Sequence, residues 1–369
     1  MSKSRTIQIA LAVTLVSIVS PNILTLSVRD TPSSVGIRPT ETATAATTAT
    51  ATEKVTRLSH LARHSSCNAS AHSALSYNYP IKPFRRQHPI RGYFGDPRTP
   101  VGRRAVYAPG ARGLFNFHNG VDIVAAANAP VYPVVSGVAR VNPDNVIVSS
   151  NDGRWFQYYH LWPSVHSGQY VVAYKTVLGR VRATHEHVHL TEVVGGRVQN
   201  PLAPGHLEPY RDKTLPVVDS VHFADDHGRQ VNPLRLKGLV HIATQAHDMP
   251  ALPVLSNWPG LGVTAATVAW DLRRPGGKAV IRRQTVADFR QTVPDNQDFW
   301  KIYAAGTHQN KFGYRSLQRV RLVGLFSYDL TPSGLDTRAI PNGTYKLTVA
   351  AADTCGNSGS LSEQIEIAN

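Results

Sequence analysis

The sequence predicts an all-β chain built from two β-rich units in succession. Short segments of alternating apolar and polar residues recur from Tyr79 to the end of the chain, separated by glycine, proline or Asp/Asn clusters. Turn-forming residues are abundant, with 27 Gly and 25 Pro in 369 residues. A hydrophobic content of 42% supports cores in two or three domains, so the chain as a whole is not disordered.

The first 30 residues have the composition of an export signal. Lys3 and Arg5 precede an apolar run at residues 7–19. Apolar residues resume after Pro21, and the combined stretch is just long enough to span a bilayer. Residues 1–30 are therefore predicted to be a cleaved signal peptide or a retained membrane anchor. In both cases the rest of the protein is predicted to be extracellular or in the cell envelope.

Residues 31–78 are predicted to be a linker followed by a polar segment without an assigned fold. Between Glu41 and Glu53 the chain contains only Thr and Ala. Such a low-complexity sequence has little apolar surface to bury, which is typical of a spacer. Residues 56–78 are polar with scattered histidines.

Residues 79–205 form the first predicted unit, an antiparallel β-sheet domain. The alternating segments that predict its strands are 121–124, 131–135, 138–141, 146–149, 155–161, 170–173, 177–181 and 187–193. A proline-rich link separates it from the second unit, residues 217–369. There, strands are predicted at 217–223, 239–246, 263–271, 279–281, 320–328 and 345–352. The turn and strand after Pro341 are typical of an immunoglobulin-like β-sandwich domain.

Charge and cysteine content limit the possible partners. The formal net charge of +15 draws the protein to anionic polymers, either nucleic acid or an anionic cell envelope. The basic residues occur singly or in pairs and are not interleaved with aromatic residues, so no nucleic acid partner is expected. The two cysteines, Cys67 and Cys355, either form one long-range disulfide or remain unpaired.

Three short motifs in the first unit carry residues suited to metal and proton chemistry. They are His118-x-x-x-Asp122, Tyr159-His160-Leu161 and His187-x-His189. On a β-strand, residues i and i+2 share a face, so the last two histidines project together. A single histidine is more often a surface or core residue than a ligand, so the prediction depends on the combination.

The combination fits a hydrolytic zinc site. Such a site needs three nitrogen or oxygen ligands from the protein and one open position. His118, Asp122 and His189 supply this set. His160 and His187 are then spare imidazoles suited to proton transfer and to stabilisation of an oxyanion.

The order and spacing of these motifs, followed by Asn200-Pro201-Leu202, resemble those of the lysostaphin-like (β-lytic) zinc metallopeptidases over roughly residues 80–205. Members of that family hydrolyse peptide bonds in bacterial peptidoglycan. The resemblance implies a secreted or surface zinc metalloendopeptidase whose partner is peptidoglycan or an anionic cell-wall polymer. A membrane contact is expected only through an N-terminal anchor.

The resemblance also assigns the site residues. It implies one zinc ion held by His118, Asp122 and His189. It makes His160 and His187 catalytic, with His187 as general base and His160 at the oxyanion, although the sequence leaves open which of the two has which role. Six further residues with side chains suited to metal or proton chemistry are expected to be polar loop, surface or turn residues, namely His166, His185, Glu186, His206, His241 and His247.

A non-catalytic reading of the same domain remains open. In that reading the chain binds or regulates the cell envelope. Its main support is the segment Gly179–Glu186 before His187, which is shorter than the corresponding loop of the family and has no glycine after Gly179. A binding module has no need of both metal ligands and proton carriers, so the sequence favours the enzyme.

Overall fold

The computed structural model describes residues 59–64, 67, 74–99, 115–255, 260–315 and 318–369. All described residues belong to one compact unit, Lys54–Asn369. The predictions for residues 1–30 and for the Thr/Ala-rich segment therefore fall outside the described residues. No helix in the described ranges is long and apolar enough to cross a lipid bilayer.

The fold is all-β, as the sequence predicts. The strands of the first half are β1 (Ser59–Arg63), β2 (Ile90–Gly92), β3 (Pro97–Arg98), β4 (Asn116–Phe117), β5 (Val121–Val124), β6 (Pro130–Val131), β7 (Gly137–Asn142), β8 (Asn145–Ser149), β9 (Arg154–Tyr159), β10 (Leu161–Pro163), β11 (Tyr170–Val171), β12 (Gly179–Val181), β13 (His187–Val194) and β14 (Arg197–Gln199). The second half contains β15 (Val217–Asp225), β16 (Leu239–His247), β17 (Thr267–Arg273), β18 (Ala279–Asp288), β19 (Lys311–Arg315), β20 (Gln318–Leu322), β21 (Ser327–Asp329), β22 (Leu335–Asp336), β23 (Gly343–Ala352) and β24 (Ser358–Ile367). The described helices are α1 (Phe299–Ile302) and three short 3-10 helices at Pro233–Arg235, Asn296–Asp298 and Thr337–Ala339.

The main sheet of the first half has the order β11-β7-β8-β9-β13-β5-β2, with β14 beside β13. All of its strand pairings are antiparallel. β13 lies between β9 and β5. Its Val188 and Leu190 belong to the hydrophobic core, so His187, His189 and Thr191 lie in a row on the opposite face. The alternation in the sequence therefore places three polar side chains together.

The second half contains a five-stranded sheet, β1-β24-β23-β17-β18, and a four-stranded sheet in which β22 joins β15-β16-β21. β1 comes from the polar segment to which the sequence assigned no fold, and it pairs antiparallel with β24. A disulfide between Cys67 and Cys355 joins the same two regions. The immunoglobulin-like form of this half and the domain boundaries at 79–205 and 217–369 remain predictions.

The two halves share one hydrophobic core. The ring of Phe117 contacts the rings of Phe289 and Phe299, with centroids 5.5 and 5.1 Å apart. Gly95 has φ of +90°, and a Cβ at this position would lie 2.5 Å from the Phe289 ring. The side-chain amide of Asn200 donates to the Phe289 carbonyl at 2.8 Å. The second half therefore packs directly against the loops of the first.

Candidate metal centre

Strand register places two of the predicted ligands opposite each other. β13 pairs with β5 so that His189 lies opposite Asp122. On its other edge β13 pairs with β9, where Tyr159 lies opposite His189. The rings of Tyr159 and His189 meet edge to face with centroids 5.3 Å apart. Since directly opposed residues have Cβ atoms about 5 Å apart, the carboxylate and the imidazole come into contact.

His118 joins them from the turn before β5. Its N–H donates to the Asp96 carbonyl, and its own carbonyl accepts from the N–H of Gly95, both at 2.9 Å. Its ring Nδ1 lies 2.8 Å from the carbonyl oxygen of Tyr93. A carbonyl oxygen only accepts, so Nδ1 carries the proton and the lone pair is on Nε2. The loop at 93–96 thus sets both the position and the tautomer of His118.

The three donor atoms form a close, buried triangle. His118 Nε2 lies 2.8 Å from His189 Nδ1 and 3.2 Å from Asp122 Oδ1. His189 Nδ1 lies 3.1 Å from the same carboxylate oxygen. The other ring nitrogen of His189 lies 2.8 Å from the Thr191 hydroxyl. Each of these three donor atoms offers a lone pair to the same point. The lone pairs repel each other unless a proton or a cation lies among them, so the triangle fits a metal ion.

Gly120 gives the triangle the room it needs. A Cβ at this position would lie 2.8 Å from His189 Nε2 and would also overlap the Leu190 carbonyl. The middle residue of the His118–Asp122 motif therefore has no side chain because β5 approaches β13 too closely for one.

Charge around the triangle keeps the donors unprotonated. Burial raises the pKa of Asp122, but Arg98 and then His118 outweigh it, and the net pKa lies well below its ordinary value. Arg98 donates to the second carboxylate oxygen, Oδ2, at 2.7 Å. Burial, followed by Arg98, lowers the pKa of His118 to about 3. Burial also lowers the pKa of His189. A carboxylate and two neutral imidazoles are the forms that bind metal.

His187 lies beside the triangle. Its Nδ1 is 2.7 Å from the His185 carbonyl and must donate to it, which leaves the lone pair on Nε2. That Nε2 lies 3.4 Å from Asp122 Oδ1. Glu186, in the turn before β13, has φ of 54° and brings the carbonyl back toward the ring. In its neutral form, His187 therefore presents the lone pair of Nε2 to the edge of the triangle.

His160 follows β9 in a left-handed backbone conformation, with φ of 67°, which is uncommon for a residue other than glycine. Its ring lies 4.6 Å from that of His187 and stacks on that of His185 at 4.0 Å. Burial, followed by His187 and His185, lowers the pKa of His160 to about 2, so its ring is neutral near pH 7. His185, expected to be a polar loop residue, lies in a loop and supports both neighbouring rings.

The five predicted site residues line an open cavity of about 440 Å³. Its walls carry His118, Asp122, His160, His187 and His189, together with Arg91, Arg98, Asn116, Asn119 and Tyr159. A larger cavity of about 650 Å³ lies elsewhere, near Tyr77 and Tyr174. None of the five predicted site residues lines the larger cavity, so the chemistry favours the smaller one.

The structure brings all five predicted site residues together, and their individual roles stay predictions. The sequence analysis missed the partners that orient them, Tyr93, Arg98 and Thr191. Thr191 had a detectable signal, because it lies two residues after His189 on the same strand face. His206, expected to be a surface or turn residue, is buried and lies 2.9 Å from the Glu192 carboxylate.

No family model and no curated protein matches the chain. Among solved structures it is similar to the SpoIIQ–SpoIIIAH pore-forming complex, with 20% identity over 35% of this chain and 90% of that chain and a TM-score of 0.26. It is similar to the catalytic domain of the antimicrobial peptidase lysostaphin from Staphylococcus simulans, with 23% identity over 30% and 86% and a TM-score of 0.23. A third is the deep-sea M23 metalloprotease pseudoalterin, with 19% identity over 43% and 95% and a TM-score of 0.25. Peptidases of the kind that the motifs predict are thus among the similar structures.

Proposed function

We propose that this protein is an exported zinc metalloendopeptidase that hydrolyses peptide bonds in bacterial peptidoglycan. One observation carries the proposal. Three unprotonated donors converge on one point at an open cavity, and two further imidazoles outside that set stand next to them. A site that only held a metal for structure would be closed and would not need the additional imidazoles.

The donor set suits zinc. His118, Asp122 and His189 offer two nitrogens and one oxygen, and the other nitrogen of each histidine has a hydrogen-bonding partner that orients it. The open side of the triangle faces the cavity. When bound there, zinc supplies a Lewis acid that polarises a carbonyl and makes a water acidic enough to react near neutral pH.

His187 is placed to carry the proton. With Nδ1 committed to the His185 carbonyl, only Nε2 can accept a proton, and it lies at the edge of the donor triangle. It takes a proton from the attacking water and returns it to the leaving amine. The resulting imidazolium is stabilised by the Asp122 carboxylate, 3.4 Å away.

His160 has a different part in this scheme. Its pKa of about 2 means that it holds no extra proton near pH 7, so it acts as a neutral N–H donor. Such a donor stabilises the negative charge that develops on the carbonyl oxygen of the substrate. The proposal therefore assigns proton transfer to His187 and oxyanion stabilisation to His160, two roles that the sequence left open.

The cell wall is the substrate best supported by the charge and the disulfide. A net charge of +15 favours adsorption to anionic wall polymers. The disulfide between Cys67 and Cys355 is compatible with an oxidising, exported location. Both features accord with the family resemblance of the motifs.

Digestion of purified sacculi tests the proposal. We expect the zinc-loaded protein to release new amino groups from sacculi. A chelator should stop the release, and added zinc should restore it. His118→Ala should be inactive, whereas His166→Ala, which changes an exposed histidine of the same half, should keep wild-type activity. If no wall type gives chelator-sensitive release, the chain is a non-catalytic envelope protein.

Loss of the Thr191 hydroxyl should weaken the metal site without removing a ligand. Thr191→Val leaves His189 Nε2 without its buried partner, and loss of such an orienting bond costs about 10–100-fold in metal affinity. Zinc competition titration measures the change. Thr244→Val is the matched control, because Thr244 is also buried on a strand and its hydroxyl donates to the Ser220 carbonyl, away from the site. Equal zinc affinity in both variants would contradict the orienting role.

A further inference from the structure

Three buried carboxylates meet in the second half, away from the donor triangle. Asp212 lies in the proline-rich link, Asp248 follows β16, and Asp353 follows β23. Their exposed fractions are 1%, 1% and 4%. One oxygen from each lies within 4.8 Å of the others. Three separate segments of the chain thus bring negative groups to one buried point.

One of these oxygens has no partner. Asp248 Oδ1 accepts from the N–H of Met249 at 2.8 Å, but the buried Oδ2 accepts no hydrogen bond. Among the described residues, Asp212 and Asp353 have neutral donors only, chiefly the hydroxyls of Thr214 and Tyr210 and the backbone and amide of Asn357. No ion pair with Lys, Arg or His reaches the three carboxylates within the described part of the chain. Buried charges of one sign without a counter-charge are strongly unfavourable, so protons or a cation must offset them.

The spacing corresponds to the coordination sphere of a hard cation. Calcium binds oxygen ligands at about 2.3–2.6 Å, so ligands on opposite sides of the ion lie up to about 5 Å apart. A cavity of about 10 Å³ adjoins the cluster, and Asp248 and Asp353, but not Asp212, are among the residues that line it. This volume admits about one water-sized particle. Magnesium usually keeps several waters and therefore fits less well.

We propose that Asp212, Asp248 and Asp353 form a second metal site, which binds calcium through oxygen ligands and is distinct from the His/Asp triangle. All three donors are oxygen atoms, whereas zinc at structural sites prefers nitrogen or sulfur ligands, so zinc does not suit this site. The ion joins the link, the end of β16 and the turn that carries the disulfide-bonded Cys355.

Tyr93 connects this site to the first metal centre. Its hydroxyl lies 3.5 Å from Asp212 Oδ2 and 3.1 Å from the Tyr210 hydroxyl, while its carbonyl accepts from His118 Nδ1. A cation that orders Asp212 therefore also orders the residue that fixes the tautomer of His118. The site serves as a structural tie between the second half and the reaction centre.

Terbium luminescence tests the site directly, because Tb³⁺ replaces calcium and is excited through nearby tyrosines such as Tyr93 and Tyr210. The full chain is stripped of metal and reloaded with saturating zinc, which occupies the histidines, before Tb³⁺ is added. We expect tyrosine-excited terbium emission that added Ca²⁺ displaces. Absence of this emission, or emission that Ca²⁺ fails to displace, would overturn the proposal in favour of shared protons.

Asp248→Asn is the informative variant, since it removes one charge and keeps the Oδ1 acceptor. Its affinity for calcium should fall about tenfold or more, because charged ligand number sets the affinity of such sites. Asp329→Asn, at the end of β21, is the matched control and should bind like the wild type. Equal losses in both variants, or no loss in Asp248→Asn, would overturn the assignment.

Thermal unfolding gives a second readout, because calcium should stabilise the wild type whereas Asp248→Asn should not destabilise the calcium-free protein. With calcium at about 100 times its dissociation constant, the wild type should melt roughly 5 °C or more higher than without it. Without calcium, Asp248→Asn should melt at or above the wild type, because a repulsive charge is gone and the new amide can donate to a neighbouring carboxylate. If the variant keeps the same calcium-induced shift as the wild type, the carboxylate cluster is not the binding site.

Discussion

His189→Ala is expected to abolish metal binding and, with it, peptide hydrolysis. His189 contributes the donor that lies 2.8 Å from His118 Nε2 and 3.1 Å from Asp122 Oδ1, so its removal opens the triangle. Loss of an orienting partner alone costs up to about 100-fold in metal affinity, and loss of a ligand should cost more. Elemental analysis should find about one zinc per wild-type chain and almost none in the variant.

The control separates loss of the ligand from loss of the fold. His166→Ala should retain both zinc and activity, because His166 is exposed and lies outside the cavity. The thermal transition of metal-free His189→Ala should stay close to that of the metal-free wild type. Full zinc occupancy in His189→Ala would show that the ligand assignment is wrong.

Local pattern predicted β5 and β13, but it predicted one strand over 155–161, where the structure has β9 and β10 separated by His160 in a left-handed conformation. In β13, polar and apolar residues alternate from His187 to Thr191, and the strand begins at His187, where the sequence predicts it. β5 occupies the predicted residues as well. β1 was missed because its sequence, SHLAR, has no strand pattern of its own. It forms a strand because β24, nearly the whole chain away, offers it an edge to pair with.

The proximity of His118 to Asp122 and of His187 to His189 was predictable because the spacing within each pair is set by local geometry. His118 and Asp122 lie within one turn and strand, and His187 and His189 lie on one strand face. Arg98 could not be found in this way, since its contact with Asp122 arises only when the chain has folded. The same holds for the three carboxylates of the second half, which come from segments with no common motif. Two of them end strands, where a turn role for aspartate is the ordinary expectation.

The second half contacts the residues that surround the candidate metal centre. Gln309 accepts a hydrogen bond from Arg98, which in turn holds Asp122. Thr264 donates its N–H to Asp96 at 2.8 Å, and Asp96 accepts from the backbone of Tyr93. Each contact reaches a predicted metal ligand through one or two residues. This accounts for the assignment of both halves to one compact unit.

His187→Asn is expected to keep zinc and lose most of the activity. The asparagine amide can still donate to the His185 carbonyl in place of Nδ1, but it offers no basic nitrogen where Nε2 stood. General acid–base catalysis contributes about 10²–10⁴-fold, so kcat/KM should fall by that factor. The measurement pairs elemental analysis with hydrolysis rates on a soluble wall peptide.

The comparison with His160→Asn identifies which imidazole carries the proton. His160 is neutral, and an amide can replace the N–H that it donates, so this variant should lose less activity than His187→Asn. The pH profile provides the decisive readout. If His187 accepts the proton, its variant loses the acidic limb of the kcat/KM profile, whereas His160→Asn keeps that limb at a lower rate. Loss of the limb in His160→Asn alone would reverse the two roles, and loss of zinc in His187→Asn would make His187 a ligand instead.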